Sequence, residues 1–191
     1  MQRVLNNLLF IWLLVALCLP AGAQEAGFFN SPKGFGAQYS FAEKDGVFHT
    51  ATALVDIYGI PTSRCSSPGY RVNFSRQYIF RQMENAGVSY TFYAGPGIST
   101  GMVRDHDKGK GFDLTSLISG NPGFMLALSG DIGCRFDFGR KVALDLSFMA
   151  DAGIHVRVNE KEKSYTATSL SVYNNGLIQF LYPQLTILYK L

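Results

Sequence analysis

Between Phe124 and Val158, apolar and polar residues alternate with a period of two, in two runs joined by Gly139-Arg140-Lys141. Phe124, Leu126, Leu128, Ile132, Cys134, Phe136 and Phe138 take one set of positions, and Met125, Ala127, Ser129, Asp131, Gly133, Arg135 and Asp137 the other. The second run keeps the contrast. Val142, Leu144, Leu146, Phe148, Ala150, Ala152, Ile154, Val156 and Val158 stand against Asp145, Ser147, Asp151, His155 and Arg157. Successive side chains of a strand point to opposite faces, so the pattern predicts a long antiparallel hairpin with one oily and one charged face. Each arm is roughly three times the usual strand length of about 5 or 6 residues. An apolar band that tall, backed by carboxylates and guanidiniums, suits a transmembrane β-barrel with lipid outside and a polar lumen inside.

The same alternation predicts strands over 35–42, 47–60, 70–81, 88–102 and 177–191, with a Ser- and Thr-rich candidate at 165–173. Glu43-Lys44-Asp45-Gly46 and Glu84-Asn85-Ala86-Gly87 read as hairpin turns, which need positive φ. Residues 24–33 read as a lead-in, and Arg76 as a long side chain snorkelling on the outer face. Gly95-Pro96-Gly97 predicts a bulge or kink, because proline cannot donate to the ladder; glycines on the inner face would make room for bulky side chains opposite. Seven strands and the 165–173 candidate make eight, and single-chain bacterial barrels have even strand numbers. The predicted fold is therefore all-β, an eight-stranded antiparallel up-and-down transmembrane β-barrel.

The N-terminus agrees with export. Arg3, the apolar run Leu8 to Leu17 and Ala21-Gly22-Ala23 read as a signal peptide over residues 1–23, leaving 24–191 as the barrel domain. Cys18 does not suggest a lipoprotein, since bulky Leu17 precedes it. Of the two remaining cysteines, Cys65 falls in a loop and Cys134 on the apolar face, where a thiol behaves as a small hydrophobe; an exported chain also permits their pairing. Net charge is only +3 and no basic run occurs, so nucleic acid is not an expected partner.

These features resemble the small outer-membrane β-barrels, in particular the short porin-like barrels of Bacteroidetes. The signal peptide, the alternating strands, the Gly95-Pro96-Gly97 interruption and the terminal Tyr182-Pro183-Gln184-Leu185-Thr186-Ile187 strand carry the resemblance, which spans most of the mature chain. It implies an outer-membrane location, contact with outer-membrane lipid and a monomer. It brings no activity or cofactor with it.

The candidate site is the set of inward charges: Arg71, Arg81, Asp131, Arg135, Asp137, Asp145, Asp151, His155 and Arg157. An eight-stranded barrel has an interior just wide enough for side chains to fill, and ionic groups held there must be paired. The expected role is a lumen network joining acids and arginines of adjacent strands; a narrow polar path or ligand site is the sharper alternative. A lipid-modifying enzyme needs a nucleophile beside a base. Its deacylase version would show His-x-Ser on one strand face, and none occurs. His155 shares a face with Asp151, but Ser147 lies about 27 Å along the strand at ~3.4 Å per residue. No catalytic residue, cofactor or metal ligand is assigned, although His106 between Asp105 and Asp107 has cation-binding chemistry. The expected function is structural or adhesive, through exposed loops at 105–123 and 159–175. A soluble lipocalin-like barrel holding an apolar ligand is the alternative, with the two faces exchanged.

Overall fold

The computed structural model describes residues 25–61, 68–103, 123–159, 164–172 and 184–191, with backbone alone at 103, 123, 154–159 and 164–172. The expected signal peptide, Cys65 and the 105–122 connection lie outside these residues. The described chain is all-β, with strands β1 (Glu25–Ser31), β2 (Gly34–Ser40), β3 (Val47–Asp56), β4 (Gly69–Asn85), β5 (Val88–Val103), β6 (Gly123–Phe138), β7 (Val142–Asn159), β8 (Ser164–Val172) and β9 (Gln184–Lys190).

Each strand pairs antiparallel with its sequence neighbour from β1 to β7, and β9 pairs with both β7 and β1, which closes the sheet. β8 and β9 meet the same edge of β7 in succession, β9 at Val142 to Ser147 and β8 at Ala152 to Asn159. Nine segments thus build an eight-stranded, up-and-down antiparallel barrel. The expected count holds with a different membership. Residues 25–31, read as a lead-in, form the first strand, whereas 164–172, the strand candidate at 165–173, shares the eighth position with 184–190, so the segment also given as an exposed loop at 159–175 is largely strand.

Closure requires a stagger. A circuit of paired residues leaves β7 at Asp145 and passes Thr186, Phe29, Gly36, Leu54, Arg71, Gly101 and Met125. It returns to β7 at His155, ten residues further on. Strands in a staggered barrel tilt by roughly 35–45° from its axis. Side chains from non-neighbouring strands therefore meet across the lumen.

The turns act as their residues dictate. Asp45 and Gly46 have φ of 55° and 73°, and Ala86 and Gly87 have φ of 51° and 78°, the left-handed pair that matches strand twist in a two-residue hairpin. The turns at 41–46, 86–87 and 139–141 gather at one end of the barrel with Glu25 and Lys190, the turn end. The connections spanning 57–68 and 104–122 leave from the other, the loop end.

Two local expectations change. Pro96 does not bulge the sheet: β5 keeps one register with β6 through Gly95, Pro96 and Gly97, and the β4 ladder lapses only beside the proline. The bulge instead lies between Ile79 and Arg81 on β4, where an extra residue stands opposite β5. Arg76 does face outward, with its guanidinium 5.2 Å from the centre of the Tyr78 ring.

Inside and outside are sharply divided. Phe28, Leu128, Phe80 and Ile187 are 77%, 71%, 63% and 60% exposed on the outer wall, whereas Asp145, Thr186, Ser75 and Ser99 are fully buried inside. The interior is not wholly polar. Phe29, Phe48, Leu54, Met125 and Leu188 also point inward and are buried.

Candidate functional site in the barrel lumen

The lumen is filled in layers. At the turn end, Lys190 Nζ lies 2.6 Å from Asp137 Oδ1, and Arg135 Nη1 lies 2.8 Å from Glu25 Oε2. Phe48 closes this layer from the side, 4.7 Å beneath the Arg135 guanidinium and edge-on to Tyr93. A half-open cavity of about 230 Å³ lies among Glu25, Phe48, Thr91, Arg135, Asp137 and Lys190. Deeper in, the Tyr93 hydroxyl donates to Asp145 at 2.7 and 2.8 Å, and Gln38 Nε2 reaches the same carboxylate at 3.3 Å. Gln184 and Thr186 of β9 both donate to Gln38 Oε1, tying the closing strand to β2.

The middle is built from uncharged donors around single carboxylates. Gln77 Nε2 donates to Asp131 at 2.9 Å and to Ser75 at 2.8 Å, while the Thr50 and Ser75 hydroxyls are 2.6 Å apart. Asn73 Nδ2 donates to Ser129 at 2.6 Å and to Ser99 at 3.0 Å. Towards the loop end, Arg71 Nη1 lies 2.6 Å from Asp151 Oδ2, and Ser99 donates to the other oxygen of that carboxylate at 2.7 Å. Lys33 and Asp56 stand 4.0 Å apart beside the turn between β1 and β2.

Inner glycines make this filling possible. A methyl group on Gly133 would strike the Tyr93 ring, and one on Gly97 would strike Ser75 and Ser129. The bare backbone of β5 at Gly95 and Gly97 thus lets Gln77 and Asn73 of β4 reach Asp131 and Ser129 of β6.

Of the nine charges expected inside, Arg71, Asp131, Arg135, Asp137, Asp145 and Asp151 lie in the lumen. His155 is paired with Met125 of β6 and Thr168 of β8, and Arg157 with Thr166 of β8; their side chains fall outside the described atoms. Arg81 is a correction: it is exposed on the outside. The bulge at Ile79/Arg81 advances β4 by one residue, so Arg81 pairs with outward Phe92 while Gln82 pairs with inward Thr91. A period-two reading through the bulge assigns every later side chain to the wrong face.

The pairing scheme differs too. Acids and arginines were expected to join across adjacent strands, but Arg71 to Asp151 links β4 to β7, and Arg135 to Glu25 links β6 to β1. The stagger brings side chains of these non-neighbouring strands within reach of one another across the lumen. Glu25 was missed because Phe28-Phe29 obscures its strand. The signal available was the alternation of Glu25, Gly27, Phe29 and Ser31 against Ala26, Phe28 and Asn30.

On the outer wall, His49 stacks on Phe74 at 5.7 Å between ring centres, and Cys134 is a free thiol. Among the described residues no group of three or more His, Cys, Asp and Glu side chains is placed to hold a metal. No protein-family model matches the chain, and no curated protein matches it.

Proposed function

We propose that the chain is a small, non-catalytic outer-membrane β-barrel, exported by its N-terminal leader and working as a structural or loop-mediated binding protein. One observation carries the reading. The outer wall holds Phe28, Phe35, Phe74, Ile98, Leu128 and Ile187 at 51% to 77% exposure, while Asp131, Asp145, Asp151, Arg71 and Arg135 are turned inward. In water an apolar surface of this extent drives association; in lipid it is the required coat. Aromatic pairs near the turn end, Tyr90 with Phe136 and Phe80 with Phe92, fit an interfacial girdle. The filled lumen supports a closed interior over a conducting one.

Orientation follows from loop length, since barrels of this kind keep short turns in the periplasm and longer loops outside. On that rule the turns at 41–46, 86–87 and 139–141 face the periplasm, and the connections at 57–68 and 104–122 face out, where they meet an external ligand or protein. The faces favour this reading over the lipocalin-like one, which needs an apolar cavity and a polar coat.

The test is band mobility of the mature protein, with and without boiling, after membrane fractionation. A heat-shifted band in the outer-membrane fraction is expected. A soluble periplasmic protein whose band does not shift sinks the proposal.

A further inference from the structure

Inward carboxylates outnumber inward cations among the described residues. Among the described residues four ion pairs account for Glu25, Asp56, Asp137 and Asp151, which leaves Asp131 and Asp145. Asp145 stands directly opposite Arg135 in the β6–β7 ladder and accepts from Tyr93 and Gln38. Asp131 is different. Its hydrogen-bond donors are Gln77 and Ser75, both neutral, and it forms no ion pair among the described residues.

Among the buried oxygens without a hydrogen-bond partner are Asp131 Oδ1, Gln77 Oε1 on the amide that donates to Asp131, and Asn73 Oδ1 two positions from Ser75 on the same face of β4. Asn73 and Gln77 are 1% exposed and Asp131 9%. All three atoms are acceptors. The amide nitrogens of Asn73 and Gln77 are already spent on Ser99, Ser129, Ser75 and Asp131, which fixes the direction of both amides. Spare buried acceptors and a carboxylate without an ion pair suit a hard cation, which takes carboxylate and carbonyl oxygens. Water alone supplies donors but leaves the buried charge, and burying an unpaired charge is costly. A single carboxylate among neutral oxygens matches one positive charge.

The geometry points to a monovalent-cation site in the middle of the lumen, of Na⁺ type, with Asp131 supplying the charge and Gln77 and Asn73 the amide oxygens. The inference needs only the closed barrel and does not rest on its lying in a membrane.

The folded mature protein is heated in NaCl or in choline chloride at one constant ionic strength, and loss of strand circular dichroism gives the midpoint. The midpoint in Na⁺ should exceed that in choline and rise by about 3–6 °C per tenfold increase in Na⁺ once the site is filling. Asp131→Asn removes the charge and replaces the orphaned acceptor with a donor, so its midpoint should be the same in both salts. Asp145→Asn should keep the Na⁺ response. Equal midpoints for the unaltered protein in Na⁺ and choline overturn the site, a result independent of whether any variant folds. A Na⁺ response that survives in Asp131→Asn also overturns it. So does stabilisation on acidification in choline to which Na⁺ adds nothing, since a proton then neutralises Asp131.

Discussion

The β6–β7 hairpin and the seam where β9 closes on β1 perform the same task with different residues. In the hairpin, charge marks the inside: Asp131, Arg135, Asp137, Asp145 and Asp151 all face the lumen, while Leu128 and Ile132 are exposed outside. At the seam the marking fails. Phe29 and Leu188 are buried inside at 4% and 0% exposure, and Asn30 is exposed outside. The lumen must be filled, but it is indifferent to polarity wherever no unpaired charge results. Hydrophobic pattern therefore reports faces well where the filling is ionic and poorly where it is aliphatic.

If the hairpin depends on compensated charge, removing one partner should do the most harm. Arg71→Ala leaves Asp151, whose side chain is 0% exposed, without its cation. Loss of one partner of a buried pair costs about 3–5 kcal/mol, because the remaining charge is uncompensated. Urea unfolding of the folded barrel should show a loss of that size, partly recovered in the Arg71→Ala, Asp151→Ala double variant. A loss below about 1 kcal/mol would mean that water reaches Asp151 and that the lumen is wetter than its packing implies.

The seam offers the apolar counterpart. Leu188 is fully buried on β9 and flanked in the ladders by Gly27 and Ala143. Leu188→Ala removes volume without stranding a charge, and such truncations cost about 3 kcal/mol. The same unfolding assay should place it below Arg71→Ala. The reverse order would show that aliphatic filling at the closure, and not ion pairing, limits stability.

The difference between the regions also explains what was legible in the chain. Barrel class, both faces of the hairpin and the turns at Asp45-Gly46 and Ala86-Gly87 follow from local rules of alternation and φ, so residue order alone reveals them. The first strand was hidden because Phe28-Phe29 puts one aromatic on each face. The partners of Arg71 and Arg135 were hidden for another reason. They depend on a ten-residue stagger summed around the whole barrel, and no neighbouring segment encodes it. The shortage of a cation at Asp131 belongs to the same class, since it emerges only when pairs across the lumen have been assigned.

Arg81 isolates the effect of a single inserted residue. On residue order it is equivalent to Arg71: both sit on β4, ten residues apart, on the same nominal face. The bulge at Ile79/Arg81 breaks that equivalence and turns Arg81 out beside Phe92. An exposed side chain away from caps, cavities and buried pairs contributes little, so Arg81→Ala should change stability by less than about 0.5 kcal/mol. Measured beside Arg71→Ala, it gives the sharpest form of the comparison: same residue type, same strand and same parity, with opposite placement. A loss from Arg81→Ala comparable to that from Arg71→Ala would put Arg81 inside, remove the bulge and shift every side chain of β4 beyond Ile79 to the other face.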